Sequence, residues 1–186
     1  VTTAGRFPDG VERRAASEVR ASGRRLEGYA AVFDSPARIA GFTEIIRPGA
    51  FRASLAAGGD ILALVDHDPS RLLARTGSGT LRLSEDNRGL AFQLDVPDTQ
   101  LGRDLLTLAE RRDLGGMSFS FRVPKGARDA EVWPAADRRE LRAVELLEVS
   151  VVQAFPAYAA TSVQARSQAV RSGLSPAARR RLLETL

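Results

Sequence analysis

The chain contains one histidine, His67, in the run Leu64-Val65-Asp66-His67-Asp68-Pro69. Imidazole is the side chain best suited to exchange a proton near neutral pH. If the protein uses an imidazole general base, that base is His67. Two further residues could complete a relay. Ser118 follows the pair Gly115-Gly116 and sits on the polar side of an otherwise apolar alternation. Glu148 lies within Leu146-Leu147-Glu148-Val149. A serine hydroxyl is a weak nucleophile until an adjacent base takes its proton. The imidazole in turn needs a partner on its other nitrogen to fix the tautomer and stabilise the imidazolium, which a carboxylate on a buried strand supplies. The glycine pair would let main-chain N–H groups approach a developing oxyanion. Each residue also has an ordinary reading. A histidine after an apolar run can be structural, a serine can simply face water, and Glu148 can point outward while Leu147 and Val149 point in. Ser118 is not in a Gly-x-Ser-x-Gly elbow, since position 120 is serine and a strand follows, which excludes an α/β-hydrolase.

Such groups must be positioned by strands. Leu26 to Phe33 reads as a strand broken by Asp34-Ser35-Pro36, and Glu44 to Ile46 as another. Pro48 can open a helix over 48–57 that Gly58-Gly59 stops. Ile61 to Val65 is a short buried strand that ends at His67. Leu72–Arg75, Gly79–Ser84 and Leu90–Val96 read as strands, the last two joined by an Asp86-Asn87-Arg88-Gly89 turn. Thr99 caps the clearest helix, which carries Leu101, Leu105 and Leu108 at helical spacing to Arg111, and Gly115-Gly116 closes the segment. In Met117–Val123, Met117, Phe119, Phe121 and Val123 point one way and Ser118, Ser120 and Arg122 the other. Residues 138–152 give one or two more strands after a connection holding Trp133. The total is seven to nine short strands with one strong and two weaker helices. The expected class is mainly β with peripheral helices (α+β), arranged as a small, largely antiparallel barrel.

The 186 residues suit one domain with tails: an N-terminal extension at 1–24, a core domain at 25–163 and a polar, basic tail at 164–186 with a short helix from Ser175-Pro176. There is no cysteine, which excludes disulfides, a thiolate nucleophile and cysteine-type zinc sites. No run reaches the length of a membrane span, and the first residues lack the apolar stretch of a signal peptide. The net charge of +4 reflects 27 basic and 23 acidic side chains. Arg179-Arg180-Arg181 and the pairs Arg13-Arg14 and Arg24-Arg25 read as solvated surface, and the core lacks the interleaved basic and aromatic pattern of a nucleic-acid interface.

Eight segments, in order, resemble the prohead proteases of tailed bacteriophages, which are related to the herpesvirus assemblins. They are Gly28–Phe33, Arg47–Phe51, Asp66-His67-Asp68-Pro69, Gly77–Leu81, Asp95–Thr99, Gly116-Met117-Ser118-Phe119-Ser120-Phe121, Leu147-Glu148-Val149-Ser150 and Phe155-Pro156-Ala157-Tyr158. The resemblance covers about residues 26–163. It implies an assemblin-like β-barrel and a serine endopeptidase that works inside an immature capsid in the bacterial host cytoplasm. Its substrates would be scaffold, the N-terminal region of the major capsid protein, and itself. Carried over by position, it makes His67 the base, Ser118 the nucleophile and Glu148 the acid where assemblins use a second histidine. It implies no metal or organic cofactor, no membrane partner, and self-association as an open matter. Backbone N–H groups near Gly115 and Gly116, or an arginine such as Arg75, would serve the oxyanion. The chain departs from the family in having Asp66 where asparagine is common and Ser120 where glycine is common. Its Arg/Ala-rich composition fits a high-GC host, so a phage, a prophage and a gene transfer agent are all consistent origins. The alternative reading is an inactive capsid-assembly factor on the same fold.

Overall fold

The computed structural model describes residues 10–16, 18–39 and 41–153. The segment Phe155–Tyr158, the tail 164–186 with the helix expected there, and the first nine residues lie outside them. The described chain runs β1 (Glu12–Ala16), β2 (Glu18–Ser22), β3 (Arg25–Val32), β4 (Ala37–Ile39), β5 (Phe42–Ile46), α1 (Arg52–Ala56), β6 (Leu62–Val65) and β7 (Asp68–Arg75). After a single 3₁₀ turn come β8 (Leu81–Glu85), β9 (Gly89–Asp95), α2 (Gln100–Arg111), β10 (Gly116–Arg122), β11 (Glu131–Ala135), β12 (Arg138–Leu141) and β13 (Glu145–Val152). The mainly-β class with peripheral helices holds.

The strands form three sheets, in the orders β1-β10-β13-β6-β7, β11-β12-β5-β4 and β2-β3-β9-β8. Pairing is antiparallel except for β13 with β6 and β12 with β5. The expected closed barrel is therefore corrected to three open sheets. β6 enters beside β13 running the same way, so the hairpin β6–β7 extends the first sheet as a far edge and does not return to β1.

Two stretches expected to be irregular are strands. Residues 12–16 and 18–22 lay in the predicted extension, yet β1 pairs with β10 and β2 with β3. β1 escaped the hydrophobic pattern because its inward residues are Glu12 and Arg14. They are buried against Glu44 and Arg139 rather than against hydrocarbon. β11 carries Pro134 and Trp133 and tolerates the proline because it is the edge of its sheet.

α2 begins as its sequence requires, with Thr99 Oγ1 accepting the Gly102 N–H at 3.1 Å. Its buried face is Gly102, Leu105 and Leu106, rotated slightly from the expected leucine stripe. A Cβ at Gly102 would lie 2.1 Å from the Pro97 carbonyl oxygen, so only glycine lets the helix dock here. The helix stops at Arg112 in the left-handed region, before the glycine pair. α1 is shorter than expected, because Glu85 accepts the N–H groups of Gly49 and Phe51 and holds residues 48–51 as a turn. The core is one cluster into which the first sheet sends Met117, Phe119, Phe121, Val149, Val151, Ala63 and Val65. That leaves the opposite face of the sheet for Ser118, Ser120, Glu148 and Ser150.

Candidate active site

The two serines of β10 face away from the core as the alternation predicts, but they are not solvated. Ser118 is 4% exposed and Ser120 3%. What covers them is set by register. On that face Ser118 lies opposite Ser150 of β13, and Ser120 opposite Glu148. The pairing shifts after Ser120, so that Phe121 opposes Leu146 and Leu147 is the extra residue. Glu148 is paired ahead of the bulge, on the face of Ser150 and Ser118, and the bulge turns Leu146 rather than Leu147 into the core. Leu146 and Val149 both join the core, and the carboxylate turns to the serine face. Bulges of this kind re-aim side chains beside functional sites.

His67 reaches the same face from the β6–β7 hairpin. Val65 pairs with Asp68, leaving Asp66 and His67 as a two-residue turn with φ of 51° and 61°. Positive φ at both central residues is the mark of a type I′ hairpin turn. Aspartate and histidine are among the non-glycine residues that occupy this region most often, and contacts from the surroundings hold the turn in place. Asp66 helps: its carboxylate accepts the Gln153 N–H and an Arg71 N–H, both at 2.9 Å. His67 donates its own main-chain N–H to Ser150 Oγ at 3.1 Å.

The imidazole bridges the two strands. Nε2 lies 2.8 Å from Ser118 Oγ, and Nδ1 lies 2.5 Å from Glu148 Oε1. Glu148 also accepts the hydroxyl of Ser120 on Oε1 and that of Ser150 on Oε2, the latter at 2.7 Å. Arg13, on β1, donates from Nε to Ser120 Oγ at 3.2 Å. Burial pushes the Glu148 carboxyl up. The hydrogen bond and charge of His67 and the hydroxyls of Ser120 and Ser150 more than offset this, so it stays below the usual carboxylate value and is ionised near neutrality.

Ser118 Oγ has a second neighbour, the Arg14 carbonyl oxygen, also at 2.8 Å. The hydroxyl carries one hydrogen. Directed at Nε2, that hydrogen is poised for removal. Directed at Arg14, it leaves Oγ free to accept an N–H from a protonated ring. The arrangement therefore accommodates both protonation states of the imidazole without rebuilding. A hydroxyl, an imidazole and an ionised carboxylate in this order can generate a nucleophile near neutral pH.

The three proposed relay residues are thus brought together, whereas the expected oxyanion donors are not. Gly115 gives its N–H to the Val152 carbonyl at 2.8 Å, and Gly116 begins β10 opposite Val152. Arg75 lies on β7, three strand spacings from β10, or about 14 Å. Its guanidinium is held by Asp60. The sequence reading also passed over Ser150 and the Arg14 carbonyl. Ser150 was visible as the residue two positions from Glu148 on the same strand face. The Arg14 carbonyl carried no sequence signal.

A family model described as caudovirus prohead serine protease matches residues 11–175. No curated protein and no solved structure matches the chain.

Proposed function

The chain belongs to the caudovirus prohead serine proteases, and on that premise we propose that it is an active endopeptidase using Ser118, His67 and Glu148. The observation that carries this reading is the unbroken hydrogen-bond chain from Ser118 Oγ through the imidazole to Glu148. In the proposed reaction Ser118 Oγ attacks a peptide carbonyl carbon while its proton passes to His67 Nε2. Glu148 accepts the Nδ1–H and stabilises the imidazolium. Collapse of the tetrahedral adduct breaks the C–N bond, and the leaving amine takes the proton from Nε2. Water then attacks the acyl ester, giving a proton to His67, and the ester bond breaks to release the acid and restore Ser118.

The proposed substrates are scaffold or the N-terminal region of the major capsid protein, within the immature shell in the host cell, and the enzyme's own terminal segments. No helix among the described residues is long and apolar enough to cross a membrane. Incubation of the purified chain with its cognate capsid precursor tests the reading. A shortened precursor is expected, with cleavage abolished by Ser118→Ala and by His67→Ala. Full cleavage by the Ser118→Ala variant would refute the assignment. An intact precursor that still assembles would move the chain to the inactive assembly role.

A further inference from the structure

Ser150 is fully buried, and its hydroxyl has partners on two different arms of the site. It donates to Glu148 Oε2 at 2.7 Å and accepts the main-chain N–H of His67 at 3.1 Å. We propose that Ser150 is a positioning residue, whose single hydroxyl holds both the left-handed turn that aims the imidazole and the carboxylate that orients it. The inference rests on the peptidase reading given above.

The geometry distinguishes Ser150 from its neighbour. Ser150 lies between Ser118 on β10 and Leu64 on β6, and so between the strand carrying the nucleophile and the strand leading to the base. His67 has a φ of 61°, in the left-handed region that only a few per cent of non-glycine residues occupy. Its N–H bond to Ser150 anchors the turn over the sheet. Ser120 also donates to Glu148, but its contact with His67 is a 3.4 Å approach to Nδ1, and it makes no bond to the turn's main chain. Loss of the Ser150 hydroxyl strips the His67 N–H and Glu148 Oε2 of these partners in a buried place. Loss of the Ser120 hydroxyl removes a partner of the carboxylate and of Arg13 but leaves the His67 main-chain N–H bonded to Ser150. Because Ser150 is one of the donors that keep Glu148 ionised, its removal lets Glu148 take a proton at higher pH.

The test is the rate at which a fluorophosphonate probe labels the full chain, measured against pH. This readout requires an activated serine but no identified substrate. Wild type should label and Ser118→Ala should not. Ser150→Ala should melt cooperatively yet label about 10²-fold more slowly, the scale of a misaligned catalytic group. Its acid-side loss of labelling should begin at a higher pH than in wild type. Ser120→Ala should lose less rate. If Ser150→Ala does not fold, Ser150→Cys fills the same space with a weaker donor and should show the same change in smaller measure. A folded Ser150 variant with the wild-type rate and pH profile overturns the proposal. So does a variant whose melting temperature falls while its profile stays in place. Absence of labelling in wild type fails the peptidase reading itself, and the role of Ser150 falls with it.

Discussion

At the scale of single residues, the site is built from groups that are ordinary alone and depend on one another's placement. Glu148 shows why. Burial disfavours its charge, and three donors restore it. A glutamine there keeps the shape but presents an amide that can donate to Nδ1. That would favour the tautomer with its proton on Nε2, the atom that must accept from Ser118. Glu148→Gln is therefore expected to lower kcat on a capsid-precursor substrate by about 10³–10⁴. A Glu148→Gln enzyme within about tenfold of wild type would show that the carboxylate does not set the tautomer. His67 stands out in the sequence as the one imidazole, whereas the choice of Ser118 over Ser120, which shares its face, rests on the family resemblance and not on the alternation. What the sequence did not show is that the face holding Glu148 is covered by the His67 turn, since that depends on β6 lying beside β13.

At the scale of elements, β1 matters more than its sequence suggests. It pairs with β10, the strand of the proposed nucleophile, supplies the carbonyl beside Ser118 Oγ, and is held by a buried ionic cluster. Arg14 pairs with Glu12 and Glu44, and Arg139 with Glu12, Glu44 and Glu131. Both arginines, Glu12 and Glu44 are more than nine-tenths buried. Such clusters add little stability over a well-packed apolar substitute, but removing one member leaves an unbalanced buried charge. Glu44→Gln is expected to cost about 3 kcal/mol in urea unfolding. It should also slow fluorophosphonate labelling of Ser118, because β1 loosens from β10. An unchanged unfolding midpoint would mean that β1 is held by its ladder hydrogen bonds alone. The hairpin carrying His67 is the second such element. The strand before it was readable from Ile61 to Val65. The left-handed turn was not, because Asp-His is not a pair that announces one.

At the scale of the whole molecule, the carboxylates tie stability to pH. Glu12 is raised by burial but lowered further by Arg139 and Arg14, and ends below its ordinary value. Glu140 is lowered from 4.5 to about 2, chiefly by its hydrogen bonds to Arg47 and Arg142. Glu148 is lowered as well. A carboxylate with a depressed value in the folded state contributes stability that is complete above its unfolded value. That stability is lost as pH falls through the folded one. The melting temperature is therefore expected to fall progressively from about pH 4.5 towards about pH 2, with the loss starting on the acid side of neutrality rather than the alkaline side. A flat melting temperature over that window would contradict the depressed values.

The sequence by itself determined the mainly-β class, the α2 helix with its threonine cap and the core face of β10, and it offered one imidazole and a serine-bearing face as candidates for the site. These are local properties, carried by hydrophobic period, by capping chemistry and by the scarcity of a residue type. Only the tertiary structure decided that the sheets stay open, that Arg13 and Arg14 lie on a strand beside the one that carries Ser118, and that Gly115 and Arg75 are committed elsewhere. It also brought Ser150 beneath the imidazole. Those outcomes follow from register and from which strand lies beside which. Pairing partners distant in the chain are chosen by the packing of the whole core, and no short window of sequence contains that information.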